Sequence, residues 1–141
     1  MRILVDTNVF LDIILDREEA ADIAHTFFRN CYINNHQIYL SAMSLRDIGY
    51  VAHREYHDNW KTLNAQLRAY ELCTKVISIT NDDAITSLYS DMEDFEDSLI
   101  VEAAKREMLD LIVTNNIKDF KNSRFPVWTP KEFNEVLEKY S

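Results

Sequence analysis

Short runs of β-forming apolar residues alternate with helical stretches along the chain, and that alternation limits the fold more than any other feature. Arg2–Val5, Gln37–Ser41, Lys75–Ile79 and Asp110–Thr114 read as strands, and Pro126–Trp128 as a short fifth. Between them, positions 9–15 and 17–30 read as helices, with Ala20, Ala21, Ile23, Ala24, Phe27 and Phe28 at helical spacing. Further helices are expected from Ser44 to about Tyr56, over Trp60–Cys73 with Leu63, Leu67 and Tyr70 on one face, over Asn81–Tyr89 and over Asp94–Glu107. Thr129-Pro130-Lys131-Glu132 opens a last helix running to Tyr140, with a capping box and a proline in the first turn. Such a pattern builds an α/β fold, a three-layer α/β/α sandwich around a central, mostly parallel sheet of four to five strands. The length of 141 residues suits one domain over 1–141, and no linker, repeat or low-complexity tract divides it.

The chain holds one glycine, Gly49, and two prolines, Pro126 and Pro130. A G-x-G-x-x-G dinucleotide loop needs three glycines and a Walker A loop two, so neither is present. Cys31 and Cys73 are too few and too far apart for a disulfide framework or a zinc ribbon, and their apolar neighbours predict buried free thiols. No stretch approaches the length of uncharged apolar sequence that spans a membrane. The apolar start Met1–Val5 is broken by Asp6 and is too short for a secretory signal, so a cytoplasmic location is expected.

The net charge is −9, which opposes nonspecific polyanion binding. Most of it comes from Asn81–Asp97, where Asp82, Asp83, Asp91, Glu93, Asp94, Glu96 and Asp97 occur without a Lys or Arg. Such a run reads either as a solvated helix face or as part of a site for a hard cation.

Four carboxylates fall where an open α/β sheet gathers its functional groups, at the carboxyl ends of the strands. Asp6 follows the first strand directly. Asp47 is expected in the first turn of the helix after strand two, Asp97 in the first turn of the helix before strand four, and Asp119 five residues after Thr114. Each helix-start acid has a second reading as a cap: Ser44–Asp47 and Asp94–Asp97 both fit capping boxes, and Asp119 fits a short turn. Asp6 is harder to assign to structure alone, because a carboxylate behind a buried strand is costly unless it is paired or metal-bound. Clustered acids repel and raise one another's pKa unless a divalent cation neutralises them, and oxygen ligands suit Mg²⁺ or Mn²⁺ rather than zinc.

The blocks Val5-Asp6-Thr7-Asn8-Val9-Phe10-Leu11-Asp12, Ser41-Ala42-Met43-Ser44-Leu45-Arg46-Asp47, Asp94-Phe95-Glu96-Asp97-Ser98-Leu99-Ile100 and Ile112-Val113-Thr114-Asn115-Asn116-Ile117-Lys118-Asp119-Phe120 resemble the PIN-domain ribonucleases. The likeness is closest to the VapC-type toxins of bacterial toxin–antitoxin pairs, in motif order and spacing over nearly the whole chain. It implies a PIN-like fold and a Mg²⁺- or Mn²⁺-dependent endoribonuclease that cuts RNA phosphodiesters. It implies catalytic roles for Asp6, Asp47, Asp97 and Asp119, with Asp6, Asp97 and Asp119 as metal ligands. It also implies polar support from Asn8, Thr114 and Asn116. The family usually carries glutamate where this chain has Asp47; an aspartate there is one methylene shorter and suits a water-mediated contact. Asp94, at i, i+3 from Asp97, is the candidate substitute metal ligand. Arg46, Lys118, Lys121 and Arg124 are candidate RNA contacts, although for any one of them ordinary surface charge is the commoner use. The partners implied are an RNA substrate, an antitoxin whose tail covers the active site, and a second copy in a homodimer. A basic antitoxin segment matches the charge of −9. The faces around Phe27/Phe28 and Trp60/Leu63/Leu67 read either as core or as a groove for such partners.

Other patterns fail on inspection. His53-Arg54-Glu55-Tyr56-His57 places its glutamate wrongly for the H-E-x-x-H zinc motif, and His25 and His36 have no partner pattern. Asp6-Thr7-Asn8 lacks the second acid of the D-x-D phosphatases. A phospho-receiver needs an aspartate where Ile79-Thr80 stands. The reading from another class is a non-catalytic PIN-like module that binds RNA or protein through a degraded metal site, and Asp47 is the residue that sustains it.

Overall fold

A computed structural model describes residues 1–56, 65, 68 and 74–140. Apart from positions 65 and 68, the expected helix Trp60–Cys73 lies outside the described residues, as do His57 and the second cysteine. The elements are β1 (Arg2–Val5), α1 (Thr7–Ile14), α2 (Glu18–Ile33), β2 (Gln37–Ser41), α3 (Ala42–Tyr56), β3 (Lys75–Ile77), α4 (Asn81–Ser87), α5 (Phe95–Arg106), β4 (Leu111–Val113), a 3₁₀ turn (Ile117–Phe120), β5 (Val127–Trp128) and α6 (Pro130–Tyr140). The strands form one five-stranded sheet in the order β3-β2-β1-β4-β5, and every adjacent pair is parallel.

Both faces of the sheet are covered, so successive residues of each strand feed opposite layers. Ile3 and Val5 of β1, Ile38 and Leu40 of β2, and Leu111 and Val113 of β4 enter the core beneath α1, α2, α3 and α6. Leu4, Tyr39 and Ile112 enter the other core with Ile100, Val101 and Ala104 of α5. The first core is anchored by aromatic rings: Phe27 lies 5.0 Å from Phe133 in an edge-on contact, and Phe28 lies 5.1 Å from both Phe10 and Phe27. Each buried ring of this size contributes about 1.5–3 kcal/mol. Phe27 therefore belongs to the core, as the first reading of that face has it, and Phe28, partly buried, packs against it. Cys31 is a buried free thiol, as expected, and burial pushes its pKa up to about 12, which makes it a poor nucleophile.

The helix starts show which caps form. Thr129 and Glu132 make the expected reciprocal box ahead of α6. Asp94 caps α5 by accepting from the Asp97 N–H at 3.0 Å. The Ser44–Asp47 box does not form: Ser41 Oγ accepts from the Ser44 N–H at 2.9 Å, so α3 begins at Ala42 and Asp47 lies in its second turn, not its first. In a chain with one glycine, left-handed positions fall to other residues, including Asp16, Asn35 and Met108.

Asp83 fastens the second helical layer. It closes a capping box with Thr80, and Arg106 of α5 donates Nε to both its carboxylate oxygens at 3.1 and 3.2 Å. Burial alone raises the Asp83 pKa, but the hydrogen bonds from Arg106 and Thr80 outweigh it and hold the group below its ordinary value. The stabilisation is therefore complete above the unfolded value of about 3.9 and is lost as pH falls through the lower folded value. Urea unfolding of Asp83→Asn is expected to show a deficit of about 2 kcal/mol near neutrality, with the wild-type advantage shrinking toward zero below about pH 4. A deficit that does not change with pH contradicts the assignment.

Candidate active site

The sheet order reverses direction between β1 and β4. From β1 the chain steps outward through β2 to β3, then returns to place β4 on the other side of β1. In open α/β sheets the crevice outside the carboxyl ends of such strands is the usual binding position. Asp6 lies one residue beyond β1 and Thr114 one beyond β4, with the Asp6 N–H donating to the Val113 carbonyl at 2.9 Å.

Asp6 is the N-cap of α1 and accepts from the Thr7 N–H at 2.9 Å, the Thr114 hydroxyl at 2.8 Å and Asn8 Nδ2 at 3.4 Å. All three donors are neutral. Burial raises the Asp6 pKa against these bonds, and the charges of Asp119 and Asp47 raise it further. Asp97, the third residue of α5, is pushed to about 7 by burial and by Asp6, Asp94, Asp119 and Glu96. Asp6, Asp47, Asp97 and Asp119 thus share one electrostatic field although they come from four separate segments. Among the described residues, no Lys, Arg or His forms an ion pair with Asp6, Asp97 or Asp119. Asp47 differs: Arg46 Nη1 lies 2.9 Å from its carboxylate in an exposed pair, which is worth little.

The donor set is all oxygen and matches a hard divalent cation. Among the described residues, no three His, Cys, Asp or Glu side chains are gathered closely enough to hold a metal as they stand. The acids act on one another electrostatically without gathering into such a group.

Loop 114–116 is fastened to α1. Thr114 Oγ1 accepts from the Asn116 N–H at 3.1 Å and from Asn8 Nδ2 at 3.4 Å. Asn8 Oδ1 accepts from the Asn115 N–H at 3.2 Å. Asn115 Nδ2 donates to buried Asp12 at 2.6 Å, and Arg17 lies 3.2 Å from the same carboxylate. Asn116 thus enters this network through its backbone. Asn115 and Asp12 were not singled out in the sequence; their signal is the i, i+4 spacing of Asn8 and Asp12 on one helix face.

Of the four candidate RNA contacts, Lys118 and Lys121 line a pocket of about 190 Å³ with Asp94, Asp119, Glu93 and Asn122. Lys121 pairs loosely with Glu93 at 3.6 Å, and Arg46 flanks Asp47. Arg124 lies in a neighbouring groove. Thr114→Val removes the hydroxyl that serves both Asp6 and the Asn116 N–H. It is expected to cost about 1–3 kcal/mol in denaturant unfolding, with Thr114→Ser recovering most of the loss.

Several solved structures share this fold. A chain of the VapBC2 complex from Rickettsia felis, bound to a DNA fragment from its promoter, matches with a TM-score of 0.69 at 18% identity, over 92% of this chain and 98% of that one. A toxin–antitoxin complex from Klebsiella pneumoniae matches with a TM-score of 0.63 at 24% identity, over 91% and 97%. VapC20 of Mycobacterium tuberculosis, a Sarcin-Ricin loop cleaving toxin, matches with a TM-score of 0.63 at 14% identity, over 87% and 95%. No curated protein matches the sequence. The PIN domain profile matches residues 2–118, and the chain belongs to the PIN domain family.

Proposed function

We propose that the chain, as one PIN domain over 1–141, is a Mg²⁺- or Mn²⁺-dependent endoribonuclease of VapC type that works in the cytoplasm. The observation that supports this reading is the mutual electrostatic influence of Asp6, Asp47, Asp97 and Asp119 in a PIN domain, with Asp6 at the β1/β4 switch point. Asp6, Asp97 and Asp119 are the proposed ligands, with Asp94 beside Asp97. A bound divalent ion would supply activation of water and charge stabilisation at the phosphoryl centre. The chain's own part is to hold the acids: Thr114 and Asn8 fix Asp6, the Asp94 cap fixes the first turn of α5, and loop 114–116 sets where the 3₁₀ turn carrying Asp119 begins. Lys118 and Lys121 present positive charge to the RNA backbone beside these acids. The proposed partners are an antitoxin with a basic segment and a second copy of the chain. The toxin–antitoxin complexes among the structural neighbours support the former.

Calorimetry and RNA cleavage test the reading together. Wild type is expected to bind Mg²⁺ or Mn²⁺ and to cut RNA, whereas Asp6→Asn and Asp97→Asn lose both, with cleavage reduced at least about a hundredfold. One observation bears on the non-catalytic module as a second reading: the ion pair that engages Asp47 with Arg46. Absence of both divalent binding and cleavage establishes that module instead.

Asp47→Glu separates the roles of the second-turn acid. If Asp47 serves the ion, the longer side chain is expected to tighten metal binding several-fold, up to about tenfold. Unchanged affinity assigns Asp47 to its pair with Arg46.

A further inference from the structure

We propose that the groove beside the acidic pocket is a nucleotide subsite, taking one base and one phosphate of the single-stranded RNA that enters the site. The inference rests on the ribonuclease reading and adds a position to it. The groove, of about 320 Å³, is lined by Tyr89, Asp91, Glu102, Lys105, Asn122 and Arg124 among others. That volume lies at the low end of the range of about 300–1,000 Å³ for small-ligand sites. Asn122 also lines the pocket that contains Lys118, Lys121 and Asp119, so the two spaces adjoin at one side chain. Asn122 is fixed there by donating Nδ2 to the Asp91 carbonyl at 3.2 Å.

The lining has the chemistry of a nucleotide. Tyr89 follows α4 in a turn closed by its N–H on the Thr86 carbonyl at 3.1 Å, and the residue is 84% exposed. An aromatic ring in solvent costs nothing to uncover and offers a stacking platform for any base. Among the described residues Arg124 has no ion pair, which leaves its guanidinium to a phosphate, while Lys105 is held by Glu102 at 3.2 Å. Two cations face two carboxylates, Asp91 and Glu102, so the groove is neutral and unsuited to tracking a polyanion. It suits one phosphate, with the carboxylates accepting from base amino groups.

The test is fluorescence anisotropy with a short fluorescein-labelled single-stranded RNA on protein with all four aspartates intact, in Ca²⁺ in place of Mg²⁺, a hard cation that takes oxygen ligands with looser geometry, so that the acids are neutralised while turnover is suppressed. Tyr89→Ala and Arg124→Gln are each expected to weaken binding about tenfold. Tyr89→Phe, which keeps the ring, is expected to bind as the parent does. Tyr32→Ala, which removes an equally exposed tyrosine from the end of α2, is expected to leave binding unchanged. Parental affinity in Tyr89→Ala, an equal loss in Tyr32→Ala, or no RNA binding at all overturns the subsite. Cleavage assayed separately in Mg²⁺ keeps the two readings apart. RNA cut by wild type with Tyr89→Ala indistinguishable refutes the subsite alone. Tyr89-dependent binding without any cleavage refutes the nuclease and leaves the subsite standing.

Discussion

The hydrogen bond from the Thr114 hydroxyl to the Asp6 carboxylate, 2.8 Å long, joins the ends of the two strands between which the sheet order reverses. The site depends on it twice over. It fixes a carboxylate at the crevice where parallel strands stop, and it does so with a neutral donor. An arginine in the same place would have cancelled the charge and closed the site to cations. Three neutral donors satisfy the Asp6 oxygens while leaving the negative charge to act on its neighbours. Burial, together with the charges of Asp119 and Asp47, then makes ionisation of Asp6 costly. This cost is the physical basis for the divalent-ion affinity proposed for the site.

The acidic run Asn81–Asp97, uniform in the sequence, separates into distinct jobs in three dimensions. Asp83 is a buried structural acid neutralised by Arg106. Asp94 spends one oxygen on the α5 cap, and Asp97 faces the shared field of the site. Asp91 lines the neutral groove and Glu93 the pocket beside Asp119. Asp82 and Glu96 are exposed, as a solvated face requires, Asp83 fits neither of the two readings given to the run, and a cation site is what is proposed for Asp94 and Asp97. Partner and burial decide between them, and neither quantity is visible in a charge count.

Elements with clear bounds were legible in the sequence: β1, β2 and α6 match their expected positions closely because a short β-forming apolar run or a capping box marks them. Strand order was not legible, since it depends on long-range packing, and the sheet proved parallel throughout rather than mostly so. Asp47 was misplaced by a turn because Ser41 competes with Ser44 for the same capping role, and both are good N-caps. The contact from loop 114–116 back to α1 was not legible. Asn115, not the side chain of Asn116, reaches back to α1, because a loop's side-chain directions follow no period that a sequence pattern can reveal.

The net charge of −9 looks unsuited to a protein proposed to bind RNA, and the local arrangement shows how the two are compatible. Lys118 and Lys121 share a pocket with Asp94, Asp119 and Glu93, so without a bound cation the negative groups there outnumber the positive ones. A phosphate is repelled until a divalent ion reverses that balance, which makes substrate binding follow metal binding on the proposed reading. The same uncompensated carboxylates attract a basic side chain from a protein partner. Both occupants would draw on one set of charges, so a partner's cation and the metal would exclude each other, and inhibition would need no change in the fold.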